Sequence, residues 1–308
     1  MPGSHRLVPA MMKMMKDLEQ WTTLVVDVIA RATSQLPPDV TAAIRQGRTQ
    51  EAEGSLAAMA LDSVLKNADI ACAEKAPMCQ DTGVPLFWIH HPADVSTGLL
   101  SKACTQAVRR ATAKNLLREN AVDTLTGRNT GDGAAPSIPT VHCEEWDRSE
   151  VKIQLLLKGG GCENTSAQYS LPDSKLGADR NLDGARRVVL DAAYQAQGKG
   201  CGPGILGVCL GGDRGSGYVE AKYQLLRHLD DHNPIPELDA MERRLVDEAN
   251  QLGIGPMGFG GKTTVLGVKI GTLGRVPASY FVSIAYLCWA ARRAGALVAE
   301  SGEITWLS

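Results

Sequence analysis

Glycine constrains this chain more than any other residue. There are 32 glycines in 308 residues, and they gather in a few runs: Gly127 to Gly133, Lys158-Gly159-Gly160-Gly161, Gly198 to Gly204, and Gly253 to Gly261. Such runs do not suit the interior of a helix or a strand. They belong in loops whose backbone comes close to another group. The regular elements then serve to place those loops. Aromatics make up only 5%, with 3 Phe and 6 Tyr, which leaves no stacking platform for bases. Lys+Arg 32 against Asp+Glu 34 gives a formal net charge of −2. That balance excludes binding to nucleic acid by bulk charge, while a local basic pocket for an acidic small molecule remains open.

Apolar periodicity predicts helices over 11–32, 50–75, 97–120, 182–197, 216–229 and 237–252. Pro37-Pro38 closes the first, and its methionines face the core or a partner. In the second, Leu56, Met59, Ala60, Val64 and Ile70 form the inward face, with Cys72 as a structural thiol in the last turn. Strands fit 84–90, 138–143, 151–157, 205–210 and 265–270, and the apolar segment 279–294 reads as a helix carrying Cys288. Helices and strands interleave without a βαβ rhythm, so the expected class is α+β with mixed helices and sheet and loops that carry the chemistry. Residues 1–9 (MPGSHRLVP) read as a tag-like or ragged terminus, and 10–308 as one domain. No apolar run reaches about 18 residues and no secretory signal appears, which points away from membranes. Eight cysteines without a C-x-x-C pair fit a reducing, cytoplasmic setting and exclude zinc ribbons.

Three motif matches mislead. Gly202-Pro203-Gly204-Ile205-Leu206-Gly207 and Gly253-Ile254-Gly255-Pro256-Met257-Gly258 satisfy G-x-G-x-x-G, but each follows a helix and leads to a strand, the reverse of a dinucleotide fingerprint. The run Pro256 to Thr263 lacks the first glycine of a phosphate-binding loop. Its N–H groups and Lys262 suit a carboxylate equally well. His90 and His142 fall in strands at no metal-ligand spacing, and no G-x-S-x-G elbow is present.

Cys79 and Cys201 each sit in a turn beside a polar or glycine-rich run. Counted as residues alone, they and Cys288 are more simply three buried thiols. The surrounding words say more. Met78-Cys79-Gln80-Asp81-Thr82-Gly83, Lys158-Gly159-Gly160-Gly161-Cys162-Glu163-Asn164, Cys201-Gly202-Pro203-Gly204, Gly253-Ile254-Gly255 through Gly261-Lys262-Thr263-Thr264, and Pro277-Ala278-Ser279 before Cys288-Trp289 occur in order. From about residue 10 onward the chain resembles the alpha-type chain of the iron–sulfur hydro-lyases, that is, class I fumarate hydratase and L(+)-tartrate dehydratase.

The resemblance implies a 4Fe–4S cluster held by Cys79, Cys201 and Cys288, with one iron not ligated by protein. It implies hydration or dehydration of a small hydroxy-dicarboxylate: fumarate/malate, tartrate/oxaloacetate or a methyl-substituted analogue. Asp81 and Arg128 would be catalytic, and Gln80, Asp81, Arg128, Gly160 and Lys262 would contact substrate. Cys162 stands where the family commonly has Ser or Ala and reads as a thiol near the site. Cys72, Cys104, Cys143 and Cys209 match no ligand position. Val276 replaces a histidine that the family places near substrate, twelve residues before Cys288. An apolar wall there would favour a methyl-substituted substrate. The family's second region, which supplies the catalytic base, does not follow Ser308, so a separate beta-type subunit in a heterotetramer is expected. The alternative is a cluster-bearing sensor or scaffold without lyase activity of its own.

Overall fold

The computed structural model describes residues 17–307. Helices α1 (Leu18–Ser34), α2 (Pro38–Gln50) and α3 (Leu56–Glu74) come first, followed by strand β1 (Val84–His91) and helix α4 (Thr97–Ala113). Strands β2 (Thr140–Glu145) and β3 (Val151–Lys158), the short helix α5 (Gly160–Asn164) and β4 (Ala167–Ser170) come next. Then α6 (Leu182–Ala196), β5 (Gly204–Gly211), α7 (Arg214–Gln224) and α8 (Pro236–Asn250) lead to β6 (Val265–Leu273), β7 (Phe281–Leu287), β8 (Arg293–Val298) and β9 (Ile304–Leu307).

The strands make two mixed sheets, ordered β2-β1-β3-β8-β9 and β4-β7-β5-β6. In each, one parallel pair (β1 with β2, β5 with β6) sits among antiparallel neighbours. Successive side chains of a strand face opposite sides, and β1 uses both. Phe87 and Ile89 join Ile153 and Leu155 in a core covered by α1 and α4, where Trp21, Ile29, Ala103 and Ala107 are buried. Leu86 and Trp88 face the other way, into a core shared with Val208 of β5, Ile284 of β7 and Val188 of α6. Every residue of β5 is buried, as its unbroken apolar run requires.

Three expectations need correction. First, the helix expected over 50–75 begins only at Leu56, and a separate helix, α2, precedes it. Pro38 opens α2 at its first turn, where a missing N–H is harmless, and α3 begins only after Ser55, whose hydroxyl accepts from Ala58 N at 3.1 Å. Second, α3 buries Ala57, Ala58, Leu61, Val64, Ala68 and Ala71, leaving Leu56, Met59 and Ile70 exposed. That helix is apolar around much of its circumference, so periodicity alone selects no face. Cys72 on it is exposed. Third, Cys288 is not helical. It follows β7, a strand buried along most of its length, whose pattern carries no period. The short strands β4, β8 and β9 were not anticipated. Residues 11–16 of the first predicted helix, with their methionines, lie outside the described residues, as does the 1–9 terminus. Among the described residues no helix is long and apolar enough to cross a membrane.

Candidate active site

The two sheets bring four cysteine-bearing segments to one place. β1 begins where β3 ends, with Val84 opposite Lys158. β5 begins where β7 ends, with Ile205 opposite Leu287. The chain crosses from the first sheet to the second through 159–166, which carries Cys162, and back through 288–292, which carries Cys288. Cys79 lies just before β1 and Cys201 just before β5. Cys201 is within electrostatic reach of Cys162, Cys79 and Asp81; burial, then those neighbours, push its thiol up. The Cys162 and Cys288 thiols interact directly, and Cys288 Sγ lies 3.9 Å from Ala290 O. Their interaction, with the charges of Lys158 and Arg292, brings Cys162 down to about 7 against the effect of burial; the same interaction and burial drive Cys288 well up, against the opposing charge of Arg292. Tyr286 is also pushed up, by burial first and then by Cys288, Cys162 and Cys201.

Each loop is pinned. Met78 N donates to Thr33 O at 2.9 Å, Asn67 Nδ2 donates to Met78 O at 2.9 Å, and Thr82 Oγ1 accepts from Arg118 N at 2.7 Å. Asp81 Oδ1 accepts from Gly83 N at 3.0 Å, an Asx turn. Gly83 has φ +72°, and a Cβ there would lie 2.2 Å from Lys158 O. Gly83→Ala is therefore expected to destabilise the chain by more than about 1 kcal/mol, read by urea titration. An unchanged midpoint would mean that the turn relaxes without cost.

Tyr286 lies against the Cys201 loop so closely that a Cβ on Gly200 or Gly204 would sit 2.3 or 2.5 Å from its ring. The 253–264 loop supports the same turn: Met257 N donates to Gly202 O at 3.1 Å, and Gly204 N to Thr264 O at 3.0 Å. Glu51 anchors that loop, accepting from Lys262 N at 2.9 Å and Thr263 N at 2.8 Å. Beside Cys162, Lys158 is buried, with Glu163 Oε2 at 2.7 Å and Ser166 Oγ at 3.0 Å. Burial lowers the pKa of Lys158 against the pull of Glu163. Burial would raise Glu163, yet Lys158 and Lys222 together hold it below the usual range.

The remaining predicted residues are placed unevenly. Gln80 is exposed beside Cys79, and Gly160 opens α5 with no atom within 4 Å of where its Cβ would be. Arg128 is exposed on the 121–133 loop, which joins the Cys79 turn through Asn120 Nδ2 donating to Gly83 O at 3.3 Å. Lys262 lines a separate groove of about 700 Å³ with Gln46 and Asn250, in which no cysteine takes part. Val276 is 65% exposed. It lies beyond the start of β7, whereas Cys288 follows its end, seven residues or roughly 20 Å of strand away. Within this chain position 276 therefore lies at the opposite end of β7 from Cys288. Cys104 and Cys209 are buried, and burial pushes both thiols up, Cys209 to about 12, as structural cysteines require. Sequence reasoning missed Arg292, which is buried and acts on Cys162 and Cys288. The signal was available: two adjacent arginines inside the apolar run Trp289-Ala290-Ala291-Arg292-Arg293-Ala294.

Among the described residues no group of three or more His, Cys, Asp or Glu is gathered tightly enough to hold a single metal ion. A cubane makes a different demand, because each of its thiolates takes a different iron. Three soft donors on separate loops at one end of the two sheets, with a buried cation beside them, fit such a cluster.

A profile of the family described as fumarate hydratase (Fumerase) matches residues 22–297. A Geobacillus stearothermophilus protein assigned as class I fumarate hydratase is 45% identical over 94% of this chain. The chain spans only 57% of that relative's length. A Methanocaldococcus jannaschii protein assigned as L(+)-tartrate dehydratase subunit alpha is 32% identical, covering 88% of this chain and 95% of its own length. The Escherichia coli K12 L(+)-tartrate dehydratase subunit alpha is 29% identical over 90% of each chain.

Proposed function

The chain belongs to the fumarate hydratase (Fumerase) family, and from that premise we propose that it is the alpha-type part of a hydro-lyase that adds water to, or removes it from, a small hydroxy-dicarboxylate. The observation that carries this reading is the convergence of Cys79, Cys201 and Cys288 with Asp81 at one end of the two sheets. When bound, a 4Fe–4S cluster on those three thiolates supplies an open iron that polarises the carbon–oxygen bond. The chain's own groups do the rest. Asp81 uses one carboxylate oxygen to fix its turn and keeps Oδ2 free toward Gly159. Gln80 stands at the exposed edge beside it. Gly160 and Gly161 present backbone without side chains, so a carboxylate can approach their N–H groups. Arg128, free on its loop, suits a bidentate grip on the far carboxylate once a ligand or a second chain closes the loop over the site. Fumarate/malate and tartrate/oxaloacetate both satisfy this arrangement, and a beta-type chain in a heterotetramer completes it.

Anoxic reconstitution tests the ligand set. The chain should take up about four irons, as a cubane requires. Cys79→Ser, Cys201→Ser and Cys288→Ser should each lose most of that iron and the visible absorption, while Cys104→Ser and Cys209→Ser keep both. A Cys162→Ser protein without a cluster, beside a Cys288→Ser protein that retains one, would reverse the assignment. An iron held by no thiolate is also the first to leave on oxidation. Air should therefore inactivate the assembled enzyme, and Fe²⁺ with thiol should restore it. Full activity after prolonged aeration would rule out an open iron.

A further inference from the structure

One group at the site has no role in the chemistry above. Arg292 is 3% exposed, and its Nε has no hydrogen-bond partner. Its side chain makes no ion pair among the described residues, although its backbone is bonded on both sides, N to Ala290 O at 2.8 Å and O from Leu157 N at 2.9 Å. Its neighbours are treated differently. Arg293 is paired with Asp39, and Lys158 with Glu163 at 2.7 Å. A carboxylate close to Arg292 is that of Asp81. A Cβ on Gly159 would be 2.5 Å from Asp81 Oδ2 and 3.6 Å from Arg292 Nη2, so the two groups flank the same glycine without pairing.

A guanidinium cannot shed its proton to escape burial, and a buried charge without a partner is strongly unfavourable. With Nε enclosed and unbonded and no ion pair among the described residues, the Arg292 guanidinium is set to take an anion from outside the chain. Arg292 lies within electrostatic reach of Cys162 and Cys288, which are 5% and 7% exposed. The open side is where Gln80, Gly160 and Gly161 meet solvent. A substrate carboxylate enters there, and an anion beside the thiols is something else. We propose that Arg292 is the counter-charge of the cysteine-held cluster, a positioning residue whose guanidinium donates to the sulfur atoms around Cys288 and holds the anionic group in place. This rests on the cluster reading above and adds a residue to it.

The proposal makes two predictions of opposite sign. In the metal-free protein Arg292 is an uncompensated buried charge, so Arg292→Met should raise the melting temperature of the metal-free chain above that of the unmodified one. In the reconstituted protein the same change should speed iron loss to a ferrous chelator by roughly tenfold or more, the scale of a lost hydrogen bond to a charged group. The midpoint potential of the cluster should also move to more negative values, because a nearby positive charge favours the reduced, more negative state. Arg292→Lys keeps the charge and should fall close to the unmodified protein in iron retention. A lower metal-free melting temperature for Arg292→Met would mark Arg292 as a packing residue and overturn the proposal. Unchanged iron retention and potential, with a raised KM for the dicarboxylate in the assembled enzyme, would make it a substrate group and overturn it equally. If the unmodified chain takes up no iron, the cluster reading fails and this inference with it; if only the variant comparison shows no difference, this inference fails alone.

Discussion

Adding a beta-type hydro-lyase chain should raise dehydration turnover by about 10²–10⁴, the usual contribution of general acid–base catalysis. The reason lies in what this chain's site lacks. Removing a proton from carbon needs a base that is within reach and poised near the working pH. Asp81 has one oxygen committed to Gly83 N. Lys158 is buried and locked to Glu163 and Ser166. Glu163 is held below the usual carboxylate range by two lysines, which makes it a weak base. Tyr286 is pushed up by burial and keeps its proton. The thiols are the proposed ligands. Apart from the second oxygen of Asp81, none of these groups is a free base. The chain also spans 57% of its fumarate hydratase relative, yet 95% and 90% of two proteins named as alpha subunits. The measurement is turnover of malate and tartrate by the reconstituted chain under anoxia, with and without the second chain. Robust dehydration by the single chain, unaffected by the addition, would show that the base is already present.

What could be read from the sequence was local. Cys79 and Cys201 were placed in turns ahead of strands because each stands between a glycine or proline signal and an apolar run, and β1 and β5 begin where those runs do. Helices α6 and α8 lie within a residue or two of expectation, since each has one apolar face. What failed depended on the far side of a contact. The buried face of α3 was set by what packs on it, and the pattern offered more than one choice. Cys288 looked helical because a fully buried strand has no polar face to show its period. The place of Val276 near substrate is implied by the resemblance alone, and within this chain β7 separates it from Cys288. Arg292 was visible as a residue, while its lack of a partner is a property of the folded site alone.

Asp39→Ala should destabilise the chain by about 3–5 kcal/mol, the range for removing one partner of a buried ion pair. The Asp39 and Arg293 side chains are 3% and 2% exposed and directly bonded. Asp39 Oδ2 also accepts from Leu229 N at 2.8 Å. The pair joins the first turn of α2 and the segment after α7 to the start of β8, next to Arg292. It is not an ideal bridge, because Asp39 Oδ1 and Arg293 Nε and Nη1 have no partners. Its net contribution is accordingly modest, but alanine leaves the Arg293 charge buried alone. Asp39→Ala combined with Arg293→Met should therefore recover much of the loss, since neither charge is then stranded. The pH dependence has a definite sign. Burial would raise the Asp39 pKa, but Arg293 and the Leu229 N–H overcome it and hold the carboxyl below its ordinary value. A carboxylate depressed in the folded state stabilises fully above its unfolded pKa of about 3.9, and that stabilisation is lost as pH falls through the lower folded value. The difference between the unmodified chain and Asp39→Ala, measured by urea unfolding, should be constant from neutral pH down to about 4 and shrink below it. A loss under about 1 kcal/mol at neutral pH, or a double variant no more stable than Asp39→Ala, would mean that Arg293 finds another partner when Asp39 is gone.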